Sequence, residues 1–191
     1  MIANQNQNPE FERAIDALEA GSDELSVQRF RRMAANGDGH ADAVLGICHE
    51  FGIHGLAQDA ALALEHYRKA IQKSRSLEGE LGVARIGLRL ATSPEEVIVA
   101  RDIYRRHAEA AERSEPWIAL GRVALYGLDG SVDLEAAQGY FRRATGFGDP
   151  FALTGLALVA WRSGRYFESI RLRMNAVRAS IRRDLGSKAR K

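Results

Sequence analysis

Apolar and polar positions alternate along this chain with the three- and four-residue steps of α-helices, and no stretch shows the two-residue alternation of a strand. Phe11, Ile15 and Leu18 fall on one helical face after Pro9, and Gly21 stops that helix. Ser22 then caps the next, because its hydroxyl can accept from a first-turn N–H. Four residues after Ser22 is Ser26 and eight after is Phe30. The same offsets return as Asp59, Ala63, Tyr67, then as Glu96, Ala100, Tyr104, then as Asp133, Ala137, Phe141. In the third set the better cap is Ser93, with Pro94 opening the helix and Glu96 closing a capping box.

Each ring is followed by two cations: Phe30-Arg31-Arg32, Tyr67-Arg68-Lys69, Tyr104-Arg105-Arg106 and Phe141-Arg142-Arg143 start 37 residues apart. A fixed period of that size marks stacked helical repeats. A small residue one turn before a ring lets two helix backbones approach while the ring fills the space beside them. Ahead of these helices lie Leu45-Gly46, Leu81-Gly82 and Leu120-Gly121. Glycine inside a helix costs about 1 kcal/mol relative to alanine, so three of them predict a neighbour too close for any side chain. Gly52 and Gly55, and Gly127 and Gly130, supply left-handed turn residues between helices. Residues 77–93 lack such a pair.

The string Ala43-Val-Leu-Gly-Ile-Cys-His-Glu-Phe-Gly52, followed by Asp59, Ala63 and Tyr67-Arg-Lys-Ala70, resembles the Sel1-like repeat, a relative of the tetratricopeptide repeat. Ile118-Ala-Leu-Gly-Arg122 with Tyr126-Gly-Leu-Asp-Gly130-Ser-Val-Asp133 and Tyr140-Phe-Arg-Arg-Ala144 is similar to it over its whole length. Leu156-Ala to Trp161-Arg-Ser-Gly164-Arg-Tyr-Phe-Glu-Ser-Ile170 resembles the shorter tetratricopeptide hairpin. The resemblance covers about residues 22–180 and implies an all-α fold: about five antiparallel helical hairpins stacked into a right-handed α-solenoid. The expected organisation is an N-terminal tail over 1–9, too polar to pack, a repeat domain over 10–181, and a basic C-terminal tail over 182–191. The family implies an adaptor or scaffold, in bacteria often in envelope, polysaccharide, motility or virulence systems. Transferring the tetratricopeptide pattern places Glu50, Arg122, Tyr126 and Trp161 toward a concave, partner-binding groove. Trp, Tyr and Arg dominate binding energy at interfaces, although periodicity leaves open whether Tyr126 and Trp161 are core.

Composition narrows the classes. Of 191 residues, 46% are hydrophobic and 27% charged, with no apolar run near the ~20 residues of a membrane span. The opening Met1-Ile-Ala-Asn-Gln-Asn lacks the pattern of a secretory signal, and one cysteine, Cys48, excludes an internal disulfide. These features predict a cytoplasmic protein. The net charge of +2 is unevenly spread: residues 160–191 carry ten basic side chains against Glu168 and Asp184.

That basic end holds Phe167, Ile170, Met174, Val177, Ile181 and Leu185 at three- and four-residue steps, with Arg171, Arg173, Arg178, Arg182 and Arg183 among them. Two readings follow. The stripe seals the end of the repeat stack, or the basic helix docks on an acidic partner or, through Arg171, Arg178, Arg182 and Arg183, binds an anionic membrane surface or nucleic acid, and both can hold at once. Residues from Gly186 onward are expected to be a loose cationic tail.

The cations after each ring could likewise form a ladder for an acidic polymer. Local pairing of Lys69 with Glu65 and Arg106 with Asp102, and the net negative charge of the repeats, favour a solvated edge instead. His40, Cys48, His49, His54, His66 and His107 lack the paired spacing of zinc ligands. Cys48 and His49 diverge on a helix, and no nucleophile-elbow or phosphate-loop motif occurs. The expectation is a non-enzymatic interaction protein without metal or cofactor, binding a protein partner and no small-molecule substrate.

Overall fold

The structure, a computed structural model, describes residues 9–21 and 23–188, with side chains described as far as Arg183 except that of Asp23. Ser22, expected as a cap, and the polar segment 1–8 lie outside the described residues. Ten α-helices and no strands are present among those residues: α1 Pro9–Glu19, α2 Asp23–Ala35, α3 Gly39–Phe51, α4 Ala60–Ser74, α5 Leu77–Leu90, α6 Pro94–His107, α7 Glu115–Tyr126, α8 Leu134–Thr145, α9 Pro150–Arg162 and α10 Tyr166–Lys188. The class is all-α with helices packed in succession, the number that five hairpins require. The chain divides after Arg89 into two compact units.

The helix starts follow the capping chemistry. Asp59 accepts from the N–H groups of Ala61 and Leu62 at 2.8 and 3.0 Å, and Asp133 accepts from Ala136 at 2.9 Å. Ser93 accepts from Glu96 at 3.4 Å with Pro94 at the first helical position. The Glu96 carboxylate reaches back one residue further than a standard capping box, to the N–H of Thr92 at 2.7 Å. Gly52 and Gly127 close α3 and α7 at φ +64° and +65°, and a Cβ at Gly127 would lie 2.9 Å from the Val132 nitrogen. The loops then return alike, with the Asp59 N–H donating to the His49 carbonyl at 2.8 Å and the Asp133 N–H to the Ala124 carbonyl at 2.9 Å.

Every one of the four rings is buried, and so is the small residue one turn before it: Ser26, Ala63, Ala100 and Ala137. The glycines explain why. A Cβ on Gly46 would stand 2.7 Å from Tyr67 Cδ1, and one on Gly82 would stand 2.4 Å from Cε2, at the opposite edge. A Cβ on Gly121 would stand 2.8 Å from Phe141 Cε1, and one on Gly155 would stand 2.3 Å from the same atom. A ring on each of these second helices is therefore wedged between glycines of the preceding and following first helices. The expected close backbone crossing is in fact a ring seated where two side chains are missing. Gly155 completes the pattern, and its 34-residue offset from Gly121 had concealed it.

The ladder of cations lies at the surface. Arg32 pairs with Glu10, Lys69 with Glu65 at 2.6 Å and Arg143 with Glu109 at 2.5 Å, all exposed pairs. Asp102 is engaged by Arg101 at 3.0 Å. Such surface pairs contribute about 0–1 kcal/mol.

Candidate functional site

In the first unit the polar side chains turn inward. Glu50 is fully buried. Its carboxylate accepts from the Tyr67 hydroxyl at 2.8 Å and from the Arg85 guanidinium at 2.8 to 3.0 Å, while Arg89 stands at 3.6 Å. Arg85 also reaches Glu78 at 3.3 Å and lies over the Phe51 ring, 5.5 Å from its centroid. The assignment of Glu50 to an open groove is thus corrected. Four residues beyond the helix glycine, the other first helices carry Ile86, Leu125 and Val159, each buried. Glu50 occupies that core position, and a carboxylate there requires charged and hydroxyl partners. Burial pushes the Tyr67 hydroxyl well above the ordinary tyrosine range; Arg85 opposes this and the Glu50 carboxylate adds to it.

A second polar group joins α2, α3 and α4. Asp42, nearly buried, takes the Lys73 ammonium at 2.6 Å and His66 Nδ1 at 2.9 Å, and Lys73 also donates to the Ala34 carbonyl at 2.8 Å. A carboxylate can only accept, so His66 carries a proton on Nδ1. The His66 ring stacks on His49, centroids 5.7 Å apart and planes 7° apart. Cys48, on the other side of α3, is buried in the apolar core. No group of three or more His, Cys, Asp or Glu is placed to hold a metal ion among the described residues. No described helix is long and apolar enough to cross a membrane.

The second unit presents the other expected contact residues outward. Arg122 is exposed on α7, and Tyr126 and Trp161 each keep half of their surface open. The two rings end α7 and α9, which are held together where the Arg162 guanidinium donates to the Leu125 carbonyl. Trp161 is not isolated. Tyr166 meets it edge-on with centroids 4.8 Å apart, and Arg173 lies over it at 5.7 Å. The sequence placed Tyr166 in a repeat string and Arg173 in the basic stripe but neither beside Trp161, although the short loop at Gly164 is what folds α10 back against it.

The reading that the α10 stripe seals the stack is corrected as well. The side chains that α10 buries are small, Ser169 and Ala176, with the Ser169 hydroxyl donating to the Ala157 carbonyl of α9 at 2.8 Å. Phe167 is 92% exposed, and Ile170, Met174, Val177 and Ile181 are all exposed. Arg171, Arg178, Arg182 and Arg183 are exposed beside them. The helix itself continues past Gly186 to Lys188, where a loose tail was expected. The side chain of Leu185 and residues 189–191 lie outside what is described.

Rings wedged between glycines, aspartate-capped second helices and paired-glycine turns define a helical-hairpin repeat protein. Two stretches match the Sel1 repeat family model: residues 40–74, spanning α3 and α4, and residues 118–145, spanning α7 and α8. Among solved structures the chain is similar to c5321, described as a protective antigen present in uropathogenic Escherichia coli strains displaying an SLR fold. The TM-score is 0.63 at 18% identity, over 80% of this chain and 36% of that one. It is similar also to a Sel1 repeat protein from Oxalobacter formigenes, with TM-score 0.63 and 18% identity over 79% of this chain and 59% of that one. The chain thus spans less than two thirds of either structure's length. At this identity the likeness speaks for the fold. The comparison with curated proteins gave no match.

Proposed function

We propose that the chain is a non-enzymatic interaction module that holds a segment of a partner protein against the outward face of α7 and α9. Sel1-repeat proteins generally act as protein-interaction scaffolds, which is the broad support. The observation that carries the reading is the half-exposure of Tyr126 and Trp161 at the ends of helices whose adjacent residues Leu125 and Ala160 are buried. Large amphipathic rings beside exposed Arg122 offer contact area at small entropic cost and a cation for a carboxylate or carbonyl. A core role for the rings would have buried them.

The test is site-specific photo-crosslinking in the source cell, with the photoreactive residue at position 126 or 161 and, as a control, at Arg142 on the solvated edge. The expected result is one discrete adduct from positions 126 and 161, absent from the control and lost on Arg122→Glu. An equal adduct from position 142, or adduct formation indifferent to Arg122→Glu, overturns the proposal.

A further inference from the structure

In α4 and α8 the side chains that receive the following helix stand at fixed places relative to the buried small residues. Between Ala63 and Ala70 lies Tyr67, and between Ala137 and Ala144 lies Phe141. Gly82 of α5 is built over Tyr67, and a Cβ on Gly79 would stand 3.0 Å from Ile71 Cγ1. Leu64 packs against the cluster that Ala63 and Tyr67 form with Ile86 of α5. In the second unit Gly155 of α9 is built over Phe141. Each of these second helices therefore offers a ring and its neighbours as a seat for a first helix.

In α10 the buried small residues are Ser169 and Ala176, at the same seven-residue spacing. Aligning them places Ile170, Arg173 and Val177 where α4 has Leu64, Tyr67 and Ile71. The seat is thus present, apolar at two of its three places, and among the described residues nothing covers it. A repeat protein ordinarily turns a polar face outward at such a position. Here the exposed residues Phe167, Ile170, Met174, Val177 and Ile181 fall within a sector about 80° wide, at about 100° per residue. A contiguous apolar patch of this kind marks an interaction site.

Charge selects the occupant. The ring position holds Arg173, and Arg171, Arg178 and Arg182 run along one edge of the sector, with no carboxylate partner among the described residues. A second copy of α10 laid on this face would bring two arginine-rich edges together, and like charges at that distance oppose association. We infer that the exposed face of α10 is the seat for an acidic amphipathic helix of a partner protein, lying as α5 lies on α4 and α9 on α8. Its apolar stripe covers Ile170, Met174 and Val177, and its carboxylates meet Arg171, Arg173 and Arg178. This surface goes beyond the α7 and α9 contact, and either can fail without the other.

The probe is a synthetic helical peptide with leucines at three- and four-residue steps flanked by glutamates, and a second in which lysines replace the glutamates. Binding to the purified chain is followed by fluorescence anisotropy at low and high salt. The expected result is binding of the acidic peptide alone, weakened by salt and weakened about tenfold or more by Val177→Asp or by Arg178→Glu. Both substituted residues are exposed, so an unchanged thermal melt shows that the fold is intact, and Arg122→Glu leaves this binding in place. Equal binding of the lysine peptide, or acidic-peptide binding indifferent to Val177→Asp, overturns the inference. So does sedimentation of the chain with phosphatidylglycerol vesicles that Val177→Asp abolishes, which assigns the face to a membrane. Concentration-dependent dimerisation lost in the same variant assigns it to a second copy and equally overturns it.

Discussion

The buried carboxylate of Glu50 offers the sharpest energetic test, because the same fold contains its apolar counterpart. In the first unit Glu50, Tyr67 and Arg85 form a closed group, with hydrogen bonds of 2.8 to 3.1 Å among all three. In the second unit the equivalent places hold Leu125, Phe141 and Leu158, without a polar atom among their side chains. Removing one member of a buried ion pair costs about 3–5 kcal/mol, because the other charge stays in a poor solvent. Glu50→Leu belongs at the low end, about 3 kcal/mol, since Arg85 keeps Glu78 at 3.3 Å. Arg85→Leu belongs at the high end, about 5 kcal/mol, because it leaves a fully buried carboxylate with only the Tyr67 hydroxyl and the more distant Arg89 at 3.6 Å. Tyr67→Phe removes the donor to the Glu50 carboxylate and the acceptor for Arg85, and the charged partners make the loss about 1.5–3 kcal/mol. Added independently the three would exceed the stability of many domains, about 5–15 kcal/mol. Made together they recreate the second unit's apolar arrangement, and replacing a whole buried ion pair by packed side chains is often neutral or stabilising by about 1–4 kcal/mol. Urea unfolding followed by far-ultraviolet circular dichroism reads each variant. The triple variant should unfold within about 2 kcal/mol of the parent while both charge-removing singles unfold far earlier. Glu50→Leu within about 0.5 kcal/mol of the parent, or a triple as unstable as Arg85→Leu alone, would falsify the account.

Two further outcomes follow from the same packing. Gly155→Ala gains about 1 kcal/mol of helix propensity but sets a Cβ 2.3 Å from the Phe141 ring; overpacking of that kind costs about 1–3 kcal/mol. A net loss of stability is expected, whereas Gly139→Ala, with nothing within 4 Å of its new Cβ, should stabilise; if both stabilise, the wedged ring is misplaced. For pH, the Tyr67 hydroxyl ionises later in the folded chain than in the unfolded one. The unfolded state therefore releases its proton first, so this contribution is complete below the ordinary tyrosine value of about 10 and is lost as pH rises above it. Tyr67→Phe should remove that part of the alkaline loss, and identical alkaline melting profiles for variant and parent would contradict it.

The repeat was legible because rings and small residues of the second helices recur at 37-residue steps, whereas the helix glycines, separated by loops of varying length, do not. The two misread sites share a cause. Hydrophobic periodicity assigns the largest apolar side chains to the interior, and a carboxylate to the surface, without regard to how near the next helix comes. Where helices nearly touch, the interior position belongs to Ser169 and Ala176 rather than to Phe167 and Met174. Counting from the helix glycines would have found Glu50, since Ile86, Leu125 and Val159 stand four residues beyond Gly82, Gly121 and Gly155. The partners Tyr67 and Arg85 lie 17 and 35 residues away from it and carry no local signature.

The ring between two glycines has a consequence for how such a chain can be lengthened or shortened. Tyr67 leans on Gly46 behind it and Gly82 ahead, and Phe141 on Gly121 and Gly155. Each ring is thus the common property of two hairpins. Excising one whole hairpin leaves a ring facing a foreign helix, and grafting one in presents a glycine to no ring. An insertion or deletion cut from one ring to the next carries the matching glycine with it, so the module that can be inherited or transplanted is offset by half a hairpin from the one that the eye picks out.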